Sequence, residues 1–424
     1  MNKSKSILEL IAGILIAIFV INVLDGQGKA IVILLENLFL VWFNRSNNKM
    51  LVISAFILWS NYSIVMANVL SPIQDDFISG FVGSNGMRKA IDVLLFFNTL
   101  LFFLFRKINE SKITLDETFR NNKNNVISLG IFFLLIIVYF IGFNRGEIGE
   151  RSDPSPLYEY SYIFFVLAFA FCNKKILKLL LSLELIVFAL SNLIYGGRIT
   201  AVQLFICWIF CIIPPNTNVF KYSPYAFIGI IILSAVGGLR GAVIESFDIF
   251  ELALNSLITS KMQLDTAYYA FYTSITFVLV KAQTTIDIQL YLFWQYIQSI
   301  FLGGSVPDAV LAEYTLKYYS HQYGGVLPIF AYFYLGYGGV IMLLAYLKWI
   351  FSKVFIIQGS PYLYTMGIVL CVSVPRWYLY SPSPLFRGIL LYSICYYICN
   401  FFNKNICHRN KTNVNQDLKI STGF

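Results

Sequence analysis

Charge is the scarcest commodity in this chain. Only 12% of its 424 residues are charged, against 58% hydrophobic. A soluble domain of this length carries about a quarter charged residues, so a soluble globular fold is excluded. Histidine occurs only twice, as His321 and His408. No nucleotide-binding loop, metal-ligand spacing or haem motif is present, which argues against nucleotide-driven, metal and haem chemistry. The cysteines are Cys172, Cys207, Cys211, Cys371, Cys395, Cys399 and Cys407. All but Cys407 fall in or at the edge of apolar runs. Cys207/Cys211 and Cys395/Cys399 each share a helical face, but neither pair has a histidine or acid beside it. They read as small packing residues, and an exported disulfide framework is excluded.

What the chain has instead is length of apolar run. Ile7–Leu24, Met50–Leu70, Val126–Phe143, Ile176–Ile194 and Val326–Leu347 each approach the twenty or so residues that cross about 30 Å of hydrocarbon. The expected fold class is an all-α polytopic membrane protein of about twelve transmembrane helices, with one large extramembrane loop carrying short amphipathic helices. Lys3 and Lys5 precede the first run, and no small-residue cleavage site follows it, so it reads as a retained helix.

Counting from a cytoplasmic N-terminus under the positive-inside rule, spans are expected near 7–24, 30–43, 50–70, 89–105, 126–143, 158–172, 176–195, 199–213, 225–239, 326–347, 362–374 and 389–402. This divides the chain into nine spans over 1–239, a large outer loop over 240–325, three spans over 326–402 and a cytoplasmic tail over 403–424. Fifteen of the twenty lysines then fall inside. Arginine runs the other way, since Arg88, Arg145, Arg151, Arg198, Arg240, Arg376 and Arg387 fall outside.

Arginine presents a planar fork that grips phosphate or carboxylate in two places. Several of these arginines adjoin glycine, as in Gly196-Gly197-Arg198, Gly237-Gly238-Leu239-Arg240-Gly241 and Arg387-Gly388. Glycine allows close backbone approach and leaves amide donors nearby. Arg198, Arg240, Arg376 and Arg387, with Arg145, are therefore expected to form an anion site at the outer boundary. That is the depth of a lipid pyrophosphate headgroup. Phosphate anchoring in the bilayer, or pairing with Glu147, Glu150 and Asp153, is the plainer alternative for any one of them.

His321 lies outside in Tyr318-Tyr319-Ser320-His321-Gln322-Tyr323-Gly324-Gly325 and suits a general base or a positioning group. Tyr314, Tyr318, Tyr319 and Tyr323 crowd it. Aromatic faces partner sugar rings, although an interfacial aromatic belt would look the same. Ser246–Ile258 and Ile288–Leu302 read as surface helices, and Leu264–Tyr269 as a polar-aromatic break in which Asp265 is a second acid–base candidate. Glu36, Asp92 and Glu184 are acids within spans, for which proton-coupled transport is the functional reading.

The span count, the Gly-Gly-Arg turn at Arg198, the loop ending in His321-Gln322-Tyr323-Gly324-Gly325, the following Leu335-Gly336-Tyr337-Gly338-Gly339 and the Pro375–Arg387 turn resemble the O-antigen polymerase family, Wzy type. The resemblance implies a GT-C-like bacterial inner-membrane glycosyltransferase working at the periplasmic face without metal, cofactor or nucleotide sugar. It implies undecaprenyl-pyrophosphate-linked oligosaccharides as donor and acceptor, with a chain-length regulator as a further partner and no nucleic acid. His321 and Arg240 would then be catalytic. Arg198, Arg376, Arg387, Arg145, Tyr323 and Asp265 would bind substrate. An O-antigen ligase shares the plan, and a lipid-linked oligosaccharide flippase is the alternative from another class.

Overall fold

A computed structural model describes residues 3–70, 81, 83–106, 123–143, 155–194, 197–213, 217–222, 224, 266–356 and 360–421. The described residues are helical throughout, with no strand among them. The helices are α1 (Lys3–Val23), α2 (Gly26–Phe43), α3 (Asn48–Val65, ending in a π-turn at Met66–Leu70), α4 (Asn85–Phe105), α5 (Asn125–Gly142), α6 (Pro156–Glu159), α7 (Ser161–Phe171), α8 (Lys175–Ile194) and α9 (Arg198–Ile212). After a gap come α10 (Thr266–Gln283), α11 (Ile286–Leu302), α12 (Leu311–Leu316), α13 (Leu327–Ile356), α14 (Pro361–Val372), α15 (Val374–Leu379) and α16 (Ser383–Ser421).

Six of these helices are long and apolar enough to cross a bilayer: α2, α3 with its π-turn, α5, α8, α13 and the first part of α16. Four shorter apolar helices accompany them, at Ile7–Val23, Ser161–Phe171, Ile199–Ile212 and Pro361–Val372. Eleven residues such as Ser161–Phe171 rise only about 16 Å, which is short of the hydrocarbon thickness. The span expected near 89–105 is the longer α4, which carries Arg88, Lys89 and Asp92 in its first two turns. The span expected at 225–239 and the surface helix expected at Ser246–Ile258 lie outside the described residues. The exposed faces are apolar, with Ile11, Leu15 and Phe19 on α1, Leu38 and Trp42 on α2, and Phe133 and Phe140 on α5. Bare apolar faces on this scale belong in lipid, and the chain is a membrane-embedded helical protein.

The chain divides into two compact units. The first comprises Met1–Ser111, Thr217–Ile356 and Ser373–Arg387. Its centre is α4, against which α1, α2, α10 and α13 all pack. The stretch from Val93 to Leu101 is uncharged and buried on every side, as expected of a helix that is apolar all round. Small residues set the closest approaches. A Cβ at Gly86 would lie 2.7 Å from Leu279, and one at Gly13 would lie 2.9 Å from Leu100.

The second unit comprises Lys112–Asn216, Ile357–Val372 and Gly388–Phe424. Here α5, α7 and α8 pack around a stack of Tyr158 on Phe188, whose ring centroids are 5.0 Å apart. Asn192 donates to the Tyr158 hydroxyl at 2.7 Å, and Ser128 donates to the Ala168 carbonyl at 2.9 Å. These polar side chains thus find partners within the protein, as hydrocarbon requires.

One expectation about the large loop needs correcting. Thr266, Ala267, Tyr268 and Tyr269 do not form a break but the first turn of α10. That helix is buried along most of its length and packs on α3, α4, α12, α13 and α15. Its mid-helix Thr273, Ser274 and Thr276 look polar in sequence. Each has a partner: Ser274 donates to the Ala270 carbonyl at 2.8 Å, Thr276 donates to the Thr273 carbonyl at 2.7 Å, and Thr273 donates to the distant carbonyl of Gln322.

Candidate functional site

The chemistry gathers in the first unit where α10, α12, α15 and the start of α13 meet. The segment between α12 and α13 is tied down residue by residue. Tyr272 donates to the Ser320 carbonyl at 3.5 Å, the Val326 amide donates to Ser274 Oγ at 2.7 Å, and the Gly325 amide donates to the Leu379 carbonyl at 3.0 Å. Gly325 is required by contact. A Cβ there would lie 2.6 Å from both Phe277 and Phe330.

His321 sits at the centre of this segment and is only 7% exposed. Its Nδ1 lies 3.1 Å from the Gln322 carbonyl, which can only accept, so Nδ1 carries the proton. Nε2 lies 2.9 Å from the Thr315 hydroxyl, which also stands 3.1 Å from the Ala312 carbonyl. Burial pushes the imidazole below its usual range, outweighing the Gln322 carbonyl, which favours the charged form. The ring is therefore neutral near pH 7, with both nitrogens engaged by the chain itself. Phe277 meets it edge to face at 6.4 Å.

Tyrosines ring the segment. Tyr318 and Tyr323 are 48% and 56% exposed. The Tyr314 and Tyr318 hydroxyls lie 3.3 Å apart, and Gln283 donates to the Tyr319 hydroxyl at 2.8 Å. Lys317 pairs with Asp308 at 2.8 Å and lies 5.0 Å from the Tyr314 ring centroid. Burial and the neighbouring Tyr318 raise the Tyr314 hydroxyl to about 12, so it stays protonated as a donor.

The expected arginines do not share one setting. Arg376 ends its turn of α15 half-buried, with its guanidinium 5.7 Å from the Tyr380 ring centroid. Arg387 donates to the Ser299 carbonyl and, at 3.3 Å, to that of Ile300, so it caps the last turn of α11. Arg198 begins α9 in the second unit, and its side chain is outside the described residues. Arg240, Arg145 and Asp265 also lie outside them.

A second cluster was not expected. α13 breaks at Leu335 and Gly336, where Gly336 takes φ +63° and ψ −151°. Lys281 reaches the break from α10 and donates to the Phe333 carbonyl at 2.7 Å and to Gln289 Oε1 at 2.6 Å. Its ammonium is 5.4 Å from the Tyr332 ring centroid. Lys89, from α4, stands 5.8 Å from that same ring and 4.8 Å from the ring of Tyr337. The one described acid nearby on α4, Asp92, is held by Lys29 at 2.7 Å.

The sequence shows the unusual placement of these lysines but not their proximity. Lys29, Lys89 and Lys281 belong to the five lysines that the span count leaves on the outer side, together with Lys261 and Lys317. They break the positive-inside rule just as the arginines do. Among the described residues no group of three His, Cys, Asp or Glu side chains could hold a metal ion. Glu36 and Glu184, the other intramembrane acids, have buried carboxyl oxygens without hydrogen-bond partners among the described residues. Compared with known proteins, the chain matches no family model, no curated protein and no solved structure.

Proposed function

We propose that this chain is an integral-membrane glycosyltransferase that joins polyprenyl-pyrophosphate-linked oligosaccharide repeat units, an O-antigen polymerase working at the periplasmic face of a bacterial inner membrane. The observation that carries the reading is the lip of tyrosines around His321. Four phenols, two of them well exposed, neighbour a buried histidine in a chain whose helices present bare apolar faces. Such a lip offers stacking faces and hydroxyl donors to a sugar while the lipid tail stays in the bilayer. In the reaction the acceptor hydroxyl attacks the anomeric carbon of the donor and passes its proton to water or to the departing diphosphate. The bond to the diphosphate breaks, and cationic groups stabilise the charge that develops on it. His321 serves here as a positioning residue, because its two nitrogens hold Gln322 and Thr315 and so fix Tyr318 and Tyr323 on either side.

The interrupted helix α13 favours a second reading, transport of a lipid-linked oligosaccharide. Broken helices with charged groups at the break are a device of membrane transporters. One experiment separates the readings. The gene is deleted in the producing bacterium and the surface polysaccharide is resolved on a gel. Single-repeat products indicate a polymerase. Polymer left on its lipid carrier indicates a ligase. Loss of all surface repeat units indicates a transporter.

A further inference from the structure

We infer that Lys89 and Lys281, whose ammonium groups lie 5.8 Å and 5.4 Å from the Tyr332 ring centroid at the break of α13, form a binding site for a phosphate or diphosphate group. Three observations support it, and none depends on glycosyl transfer.

The first is charge balance. Among the described residues Lys29, Lys89 and Lys281 bring three positive charges to this place and Asp92 brings one negative charge, leaving a surplus of two. Asp92 is occupied by Lys29 at 2.7 Å. Among the described residues no salt bridge reaches Lys89 or Lys281. Two half-buried ammonium groups that face one aromatic ring repel each other, and an anion between them relieves that repulsion.

The second is donor capacity. Lys281 spends two of its three N–H donors on Phe333 and Gln289 and keeps one. No hydrogen bond within the described residues engages the ammonium of Lys89, which rests on π-faces alone. The hydroxyls of Tyr332 and Tyr337 add donors of their own.

The third is access. Gly336 and Gly338 flank Tyr337, and a Cβ at either would meet nothing within 4 Å. This open edge gives a bulky anion a way to the two ammonium groups. A phosphate fits the site better than a carboxylate. It can take a bond from each lysine and from a tyrosine hydroxyl at once.

The anion can come from a lipid headgroup or from a free phosphate, and the test distinguishes the two. Full-length protein in phosphatidylcholine nanodiscs is acetylated at lysine, and the rate at each site is read by mass spectrometry. The probes are inorganic pyrophosphate and farnesyl diphosphate. Either probe should slow Lys89 and Lys281 at least about threefold while leaving the exposed Lys317 unchanged. Protection by both probes marks a site open to the free anion, and protection by farnesyl diphosphate alone marks a lipid-borne one. Titration calorimetry should then show binding about tenfold weaker in Lys89→Gln and nearly unchanged in Lys89→Arg. Equal acetylation rates with and without both probes overturn the proposal, and so does a folded Lys89→Gln protein that binds as tightly as the wild type. A failed polymerase test leaves this site standing. A failed footprint leaves the tyrosine lip standing.

Discussion

The ammonium of Lys281 lies 2.7 Å from the carbonyl oxygen of Phe333, three residues ahead of the glycine at which α13 breaks. A helix broken in the membrane loses part of its hydrogen-bond ladder, and the freed carbonyls need other donors. Lys281 is such a donor, and Gln289 fixes its position at 2.6 Å. Replacing it with methionine keeps the stem and removes the donors. Lys281→Met should cost about 1–3 kcal/mol of stability, read as a lower midpoint of thermal unfolding in detergent. An unchanged midpoint would mean that the break does not need its cap.

Three glycines at the break should respond in a fixed order. Gly338 has helical backbone and open space, so Gly338→Ala should be neutral or stabilising by up to about 1 kcal/mol. Gly336 has the same open space but φ +63°, so Gly336→Ala should cost about 1–2 kcal/mol in backbone strain. At Gly339 an added Cβ would run into the Ala331 carbonyl oxygen and crowd Leu335 at 3.0 Å, so Gly339→Ala should cost about 1–3 kcal/mol. Thermal midpoints of the three variants check the ranking.

Much of this helical frame is legible in the sequence, because apolar run length and end caps agree. Asn47, Ser84 and Asn124 each cap the helix that follows, and α3, α4 and α5 begin within about four residues of where the apolar runs place them. The helix α10 is not legible, because Thr273, Ser274 and Thr276 interrupt its apolar pattern. Their partners include Gln322 and Val326, about fifty positions away, and no local reading finds those. The lysine cluster fails for the same reason. Lys29 and Asp92 are 63 positions apart in sequence, and Lys281 and Phe333 are 52 apart. Alone, each lysine looks like a solvated surface charge. Arg387 shows the converse: beside Gly388 it suggests an anion site, whereas its donors go to the end of α11.

His321 should make stability depend on pH. The fold holds the ring neutral, while in the unfolded chain it titrates near its ordinary value of 6.5. Protons therefore favour the unfolded state. The contribution is fully present above the unfolded value and is lost as pH falls through the lower folded one. Wild-type protein should lose stability as pH falls below about 6.5, and His321→Gln should lose less over that range. Parallel thermal midpoints across the range for the two proteins would show that the ring is not held neutral. Chain extension should also fall in His321→Gln if the loop positions sugar.

A buried relay ties α15 to the core of the first unit. The Tyr378 hydroxyl donates to Asn61 Oδ1 at 2.8 Å, and Asn61 donates to Asn98 Oδ1 at 3.0 Å. All three side chains are buried. Tyr378→Phe keeps the ring and removes the donor, leaving an amide oxygen unpartnered at a cost of about 1–3 kcal/mol. Leu379, the next residue, accepts from Gly325, so the loss should also loosen the His321 segment. Hydrogen exchange should speed at residues 320–326 in this variant, and unchanged exchange there would separate α15 from the loop.

The Lys29–Asp92 pair decides whether the lysine cluster keeps its surplus charge. Both side chains are largely shielded, at 14% and 17% exposure, and the ammonium and carboxylate are 2.7 Å apart. Removing one partner strands the other in a poorly solvated place, so Lys29→Gln and Asp92→Asn should each cost about 2 kcal/mol or more. The double variant strands nothing and should cost less than the two singles summed, with a coupling of at least about 1 kcal/mol. Asp92→Asn has a second consequence. It frees Lys29 to join Lys89 and Lys281, so pyrophosphate should bind the surviving folded protein more tightly than it binds the wild type. Lys29→Gln acts in the opposite sense, because an unpaired Asp92 then competes with the anion. Opposite shifts in affinity from two variants that both lower stability are hard to obtain from damage to the fold alone. Shifts in the same direction would show that Asp92 does not gate the charge of this cluster.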